Sequence, residues 1–173
     1  MQIAIATTEF VTEKNFAGGL ANYTANLARI LKKYGHEVAV FVTSVEDSML
    51  VWESDIIVYR IKYETQYVES KLHLLKYLKA GIWGYLGKSF IINRRINEIN
   101  KTRSFDIIHF ASSESLAFFR NREIPSLVRI STYAPLMRAA MECIFDYEKC
   151  INKMTLAEKL QMFSMKNVET VFA

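Results

Sequence analysis

Two apolar runs joined by one amphipathic segment constrain this chain more than any other feature. Residues 2–8 (Gln-Ile-Ala-Ile-Ala-Thr-Thr) read as a short buried strand. A nine-residue loop over 9–17 leads to Gly18 and Gly19. Beyond them Leu20, Tyr23, Thr24, Leu27, Ala28 and Leu31 recur at helical spacing, with Arg29, Lys32 and Lys33 off that face. Gly35 stands where a helix would end, and residues 37–43 (Glu-Val-Ala-Val-Phe-Val-Thr) form the second apolar run. Strands joined through a crossover helix lie parallel and wind right-handed, so this stretch predicts a β-α-β unit.

The alternation continues along the chain. Further strands are expected at 56–61, 105–110, 126–132 (opened by Pro125) and 170–173. Helical stretches fall at 69–80, 85–102, 113–121 and 154–166, the last opened by a capping-box pattern, Thr155 with Glu158. Such alternation implies an α/β fold, a doubly wound, Rossmann-like parallel sheet of about six strands flanked by helices, in the order 3-2-1-4-5-6. Ligands bind such sheets at the carboxyl ends of strands 1 and 4, where the winding reverses, so function is expected near 9–19 and 109–115. A chain of 173 residues, 51% of them hydrophobic, suffices for a single domain over 1–173.

Charge and cysteine content narrow the function classes. The net charge of +4 suits anionic small ligands or a membrane surface and does not require nucleic acid, so no nucleic-acid partner is expected. Cys143 and Cys150 match neither a CxxC redox pair nor a zinc set. His36, His73 and His109 are scattered, so no metal is implied. No uncharged stretch approaches the ~20 residues of a membrane span, and residues 1–10 lack a signal peptide's basic start, which predicts a cytoplasmic protein. Residues 71–95 mix lysines with Leu, Trp83 and Tyr85. This suits either helices packed on the sheet with a solvated basic face or peripheral contact with the anionic inner face of a membrane.

Gly18 and Gly19 are the sharpest local signal. Glycine lets backbone N–H groups approach a ligand, and the positive end of a helix favours an anion such as a diphosphate; the same pair can also simply turn the chain. The surrounding residues lack the GxGxxG spacing, which argues against a nicotinamide-dependent oxidoreductase. No Walker sequence and no GxSxG elbow occurs. Ser112, Ser113 and Ser115 are expected to cap the helix after strand four, with Glu114 in its first turn. His109, at the end of strand four, is the histidine best placed to meet a ligand.

A starting strand, a loop, Gly-Gly opening a helix, and then the run Leu27-Ala-Arg-Ile-Leu-Lys-Lys-Tyr-Gly-His-Glu-Val-Ala-Val-Phe41 together resemble the N-terminal domain of a retaining glycosyltransferase of the GT-B fold, family 4 (glycosyltransferase group 1 type). Phe105-Asp-Ile-Ile-His109 and residues 168–173 resemble later strands of the same domain. The resemblance implies transfer of a sugar from a nucleotide-diphosphate sugar, as in polysaccharide biosynthesis, to a saccharide or lipid-linked acceptor. No cofactor is implied beyond that donor. It also implies that Gly18 and Gly19 approach the donor's diphosphate and sugar, and that Phe16, His109, Ser131 and Thr132 contact the acceptor or sugar. The catalytic residues are not assigned. Where the family often carries a histidine after strand five, this chain has Ser131. The family's C-terminal nucleotide-sugar domain, with its Glu-x7-Glu motif, has no counterpart in these residues. The expectation is therefore an acceptor-side lobe with little activity alone; the alternative is a stand-alone Rossmann-like binding or regulatory module.

Overall fold

Both faces of the sheet are covered, which is why its strands read as nearly continuous apolar runs rather than alternating ones. The computed structural model describes residues 1–14, 18–63, 80–111, 115–130, 154–166 and 169–172. In chain order these form β1 (Gln2–Thr7), α1 (Gly19–Lys33), β2 (Glu37–Ser44), β3 (Ser48–Trp52), β4 (Ile56–Lys62), α2 (Ala80–Arg103), β5 (Ile107–Phe110), β6 (Ser126–Ile130), α3 (Leu156–Ser164) and β7 (Glu169–Phe172). The sheet order is β3-β4-β2-β1-β5-β6-β7. Without β3 this is the expected 3-2-1-4-5-6 arrangement, with every pairing parallel.

The additional strand, β3, pairs antiparallel with β4 at the sheet edge. Its residues Ser-Met-Leu-Val-Trp leave Met49 and Val51 exposed, so the inward alternation that marks a half-buried strand is weak. The helix expected at 113–121 is also not formed by its described part. Residues 115–119 make a turn, with Phe118 N–H donating to the Ser115 carbonyl and Ser115 at φ 58°. Buried α2 side chains hold it: Ser89 Oγ and Asn93 Nδ2 both donate to the Leu116 carbonyl (2.8 and 2.6 Å), while Phe119 N–H donates to Ser89 Oγ (3.1 Å). These tertiary hydrogen bonds occupy backbone groups that a helix would pair internally. With no helix there, Ser115 has none to cap; Ser112, Ser113 and Glu114 lie outside the described residues, as does nearly all of the stretch 69–80.

On one face, Ala4, Ala6, Phe41, Tyr59, Ile108 and Phe110 pack with Ile92 and Ile96 of α2. On the other, Ile3, Ile5, Val38, Val40 and Val58 pack with Ala25 and Ala28 of α1. The buried seam of α1 is Ala21, Thr24, Ala25 and Ala28, whereas the expected larger residues Leu20, Tyr23, Leu27 and Leu31 flank it half-buried. Small side chains at the line of closest approach let the helix sit low on the sheet. The helix ends in a Schellman motif: Gly35 N–H donates to the Lys32 carbonyl and His36 N–H to that of Leu31, with Gly35 at φ 80°.

Phe41 anchors the α2 face. It is fully buried, stacks on Tyr59 at 4.9 Å and meets Phe105 edge-on at 5.8 Å. Phe41→Ala is expected to cost about 3–5 kcal/mol through lost burial and a residual cavity, read as a lower urea midpoint at unchanged slope.

Candidate functional site

At the carboxyl edge of the sheet the loop after β1 is fastened before it reaches α1. Thr7 Oγ1 donates to the Glu9 carbonyl (2.9 Å), and the fully buried Phe10 meets Trp52 edge-on at 4.9 Å. Glu13 then takes both nitrogens of a bidentate Arg60 contact, Nε to Oε1 at 2.8 Å and Nη2 to Oε2 at 3.1 Å, and accepts from Ser44 Oγ at 2.6 Å. Arg60 also pairs with Glu46. Burial raises the Glu13 pKa, but the hydrogen bonds from Arg60 and Ser44 and the Arg60 charge outweigh it, so the net direction is downward. The loop is thereby tied to the ends of β2 and β4.

Its far end is open. Gly18 has φ 74° and ψ −92°, a conformation that an L side chain resists, and it supplies the N-cap position of α1 without any side-chain cap. A Cβ at Gly19 would meet no atom within 4 Å, so packing does not require glycine at that position. One turn further, Tyr23 Oη lies 3.4 Å from His109 Nε2, and the Arg129 guanidinium lies over the Tyr23 ring at 3.9 Å. His109 on β5 pairs in register with Ile5 and Leu127, so it shares the α1 face of the sheet. Arg129, two residues beyond Leu127 on β6, rises on that same face.

The three side chains tune one another. His109 is buried, and desolvation, helped by the Arg129 charge, lowers its pKa from 6.5 to about 4. Burial raises the Tyr23 pKa, with Arg129 opposing. Near neutral pH both groups are therefore uncharged, and one proton serves the contact between them. Arg129 Nε is buried with no hydrogen-bond partner among the described residues. No ion pair links Arg129 to a described carboxylate. What results, among the described residues, is a cation and two neutral hydrogen-bonding groups on and around a helix whose start carries no side-chain cap.

His109 thus meets Tyr23, which stands on the helix that Gly18 and Gly19 begin, while Phe16, Ser131 and Thr132 lie outside the described residues. The sequence reading did not single out Tyr23, Arg129, Glu13 or Arg60 as functional. The available signal for Arg129 was a charged residue flanked by Val128 and Ile130, both buried, in the otherwise apolar run Leu-Val-Arg-Ile. A second cleft, of about 560 Å³, lies between the β3–β4 edge and α2. Its cations are engaged there: Arg94 and Arg95 share Glu98, and Arg60 is held by Glu13 and Glu46. Residues 71–79 of the basic aromatic stretch lie outside the described residues. Among the described residues no group of three potential ligands could hold a metal, and no helix is long and apolar enough to cross a membrane.

No protein-family model matches the chain, and no curated protein is similar to it in sequence at a significant level. Solved structures do match. A sucrose-phosphate synthase from Thermosynechococcus elongatus superposes with a TM-score of 0.58 at 12% identity, over 99% of this chain and 47% of that one. The glycosyltransferase SsfS6 of Streptomyces sp. SF2575 gives 0.49 at 12% identity (95% and 44% covered), and the calicheamicin glycosyltransferase CalG4 gives 0.49 at 13% (99% and 47%). The chain therefore spans about half the length of these structures. The likeness to the synthase establishes a shared α/β, Rossmann-like fold.

The buried neutral histidine makes stability depend on pH. Its folded pKa lies below its ordinary value, so its contribution is full above about pH 6.5 and is lost as pH falls to about 4. His109→Gln should flatten that part of the stability profile, by on the order of 3 kcal/mol between those limits, as read by urea unfolding from pH 7.5 to 4. Glu13→Gln should cost about 2 kcal/mol at pH 7 by leaving Arg60 incompletely paired. That gap should close as pH falls through the lowered Glu13 pKa, where the native carboxyl also loses its charge.

Proposed function

We propose that this chain is the acceptor-side lobe of a glycosyltransferase of the GT-B type, acting within a family 4, retaining enzyme. Such an enzyme moves a sugar from a nucleotide-diphosphate donor to a saccharide or lipid-linked acceptor. The observation that carries this reading is the convergence of the open Gly18–Gly19 helix start with Tyr23, His109 and Arg129 at the point where the winding of the sheet reverses. The shared fold with half of a sucrose-phosphate synthase supports it.

In this reading Gly18 and Gly19 lie near the donor's diphosphate, where a helix start offers free N–H groups and a favourable dipole. His109, uncharged near neutral pH, exchanges hydrogen bonds with a sugar hydroxyl and does not serve as a charged acid. Phe16, Ser131 and Thr132 complete the acceptor side. A second lobe closing on this edge brings the nucleotide contacts, so residues 1–173 taken by themselves bind without turning over. The enzyme works in the cytoplasm, with 71–95 as its contact to an anionic membrane face.

The test is amide-shift mapping of the purified chain with a panel of nucleotide-diphosphate sugars. Saturable shifts at Gly18, Gly19, Tyr23 and His109 are expected, with no sugar transfer. Shifts confined to other parts of the sheet, no shifts at all, or measurable transfer by the chain alone would overturn the proposal. Gly19→Ala sharpens the test, because Gly19 has no positive φ and its Cβ would meet open space. The variant should keep its thermal midpoint within about 3 °C, since alanine favours a helix by up to ~1 kcal/mol. It should nevertheless weaken the Gly18-reported binding about tenfold, a loss near 1.4 kcal/mol.

A further inference from the structure

Arg129 has features that neither the fold nor the resemblance accounts for. Its guanidinium carbon lies over the Tyr23 ring, 3.9 Å from the centroid, a cation–π contact that holds the charged group beside α1. Nε is buried and unpartnered among the described residues, whereas the great majority of buried polar groups are hydrogen-bonded. A half-buried cation that no described carboxylate pairs with is an unfavourable arrangement on its own, and it becomes favourable when an oxyanion completes it. Among the described residues, the titratable groups in contact with it or coupled to its charge are Tyr23 of α1 and His109 of β5, and neither contributes a negative charge near neutral pH.

By comparison, the other arginines with described partners are satisfied. Arg29 is paired with Glu53, Arg60 with Glu13 and Glu46, and Arg94 and Arg95 with Glu98. Arg120 donates to the carbonyls of Ala117, Ser164 and Lys166. Arg129 is set apart by its location near the carboxyl end of β6, an interior strand between β5 and β7, beside the edge where a ligand would lie.

We infer that Arg129 binds an oxyanion carried by the acceptor, so that this lobe selects an anionic saccharide, a sugar phosphate or a uronate, over a neutral one. The inference rests on the acceptor-side reading above and adds to it a charge requirement. Tyr23 is the platform that holds the guanidinium, and His109 supplies an uncharged hydrogen bond to a neighbouring hydroxyl. A guanidinium held in this way offers two parallel N–H groups to a phosphate or carboxylate, which an ammonium does not.

Nuclear magnetic resonance of the Arg129 Nε–H and the His109 ring tests this in the purified chain. The probes are a hexose 6-phosphate, a hexuronate and the neutral hexose. Saturable shifts of both signals by at least one anionic sugar, at least tenfold tighter than any by the neutral hexose, are expected. Which anionic sugar binds more tightly identifies phosphate or carboxylate as the natural group. Bound anion should also raise the His109 titration midpoint, because it offsets the Arg129 charge. Arg129→Gln should weaken anionic-sugar binding at least tenfold, whereas Arg129→Lys should retain part of it. Equal binding of neutral and anionic sugars, no binding of either anionic sugar, or unchanged binding by folded Arg129→Gln would overturn the inference. If anionic sugars bind at Arg129 while nucleotide-diphosphate sugars leave Gly18 and Gly19 unmoved, the oxyanion site stands and the transferase reading fails. If the nucleotide sugars bind but Arg129→Gln changes nothing, the converse holds.

Discussion

The pairing of β1 with β2 on one side and β5 on the other is the constraint on which the rest depends. Each of these strands buries both faces, so a shift of one residue would exchange every side chain between α1 and α2. Ile5, paired with both Val40 and His109, therefore fixes His109 on the α1 side. The crossover through α1 runs toward β2 and the chain later returns to β5, which opens the edge between them. Gly18 and Gly19 start their helix at that opening.

The low seat of α1 converts this topology into a site. Alanines at 21, 25 and 28 line the closest approach, leaving bulk for the flanks. Tyr23 is one of the flanking residues, and from there its hydroxyl reaches His109 while its ring lies under Arg129. A helix seated on large residues would stand further off and separate these groups. The helical period alone indicated an apolar face but not which side chains form its deepest line, because alanine's contribution is its small size rather than its hydrophobicity.

Much of the fold was legible in the sequence. The six parallel strands and their order followed from apolar runs and alternation, because buried parallel strands carry that signature directly. β3 was missed, since its outward Met49 and Val51 obscure the edge-strand pattern. The turn at 115–119 was read as helix because its determinants, Ser89 and Asn93, lie on α2, 23 to 30 residues before the groups they bond. Gly18, Gly19 and His109 were visible as individual residues. That His109 meets Tyr23 of the helix that the two glycines begin, with Arg129 over the Tyr23 ring, depends on strand register and helix depth, which no local spacing encodes.

The two ends of the loop after β1 differ in a way that bears on binding. At Glu13 it is held by a bidentate ion pair with both side chains largely withdrawn from water, where loss of one partner is costly. At Gly18 and Gly19 no side chain caps the helix, and nothing fills the space where a Cβ would stand. Firm attachment limits the entropy that the loop would lose when a ligand binds, while at the other end no side-chain cap among the described residues competes for the first N–H groups of α1. A loop secured throughout would present no free donors, and one secured nowhere would have to be ordered by the ligand. Securing one end of the segment and leaving the other unoccupied therefore suits it to receive an anionic or polar group at the helix start.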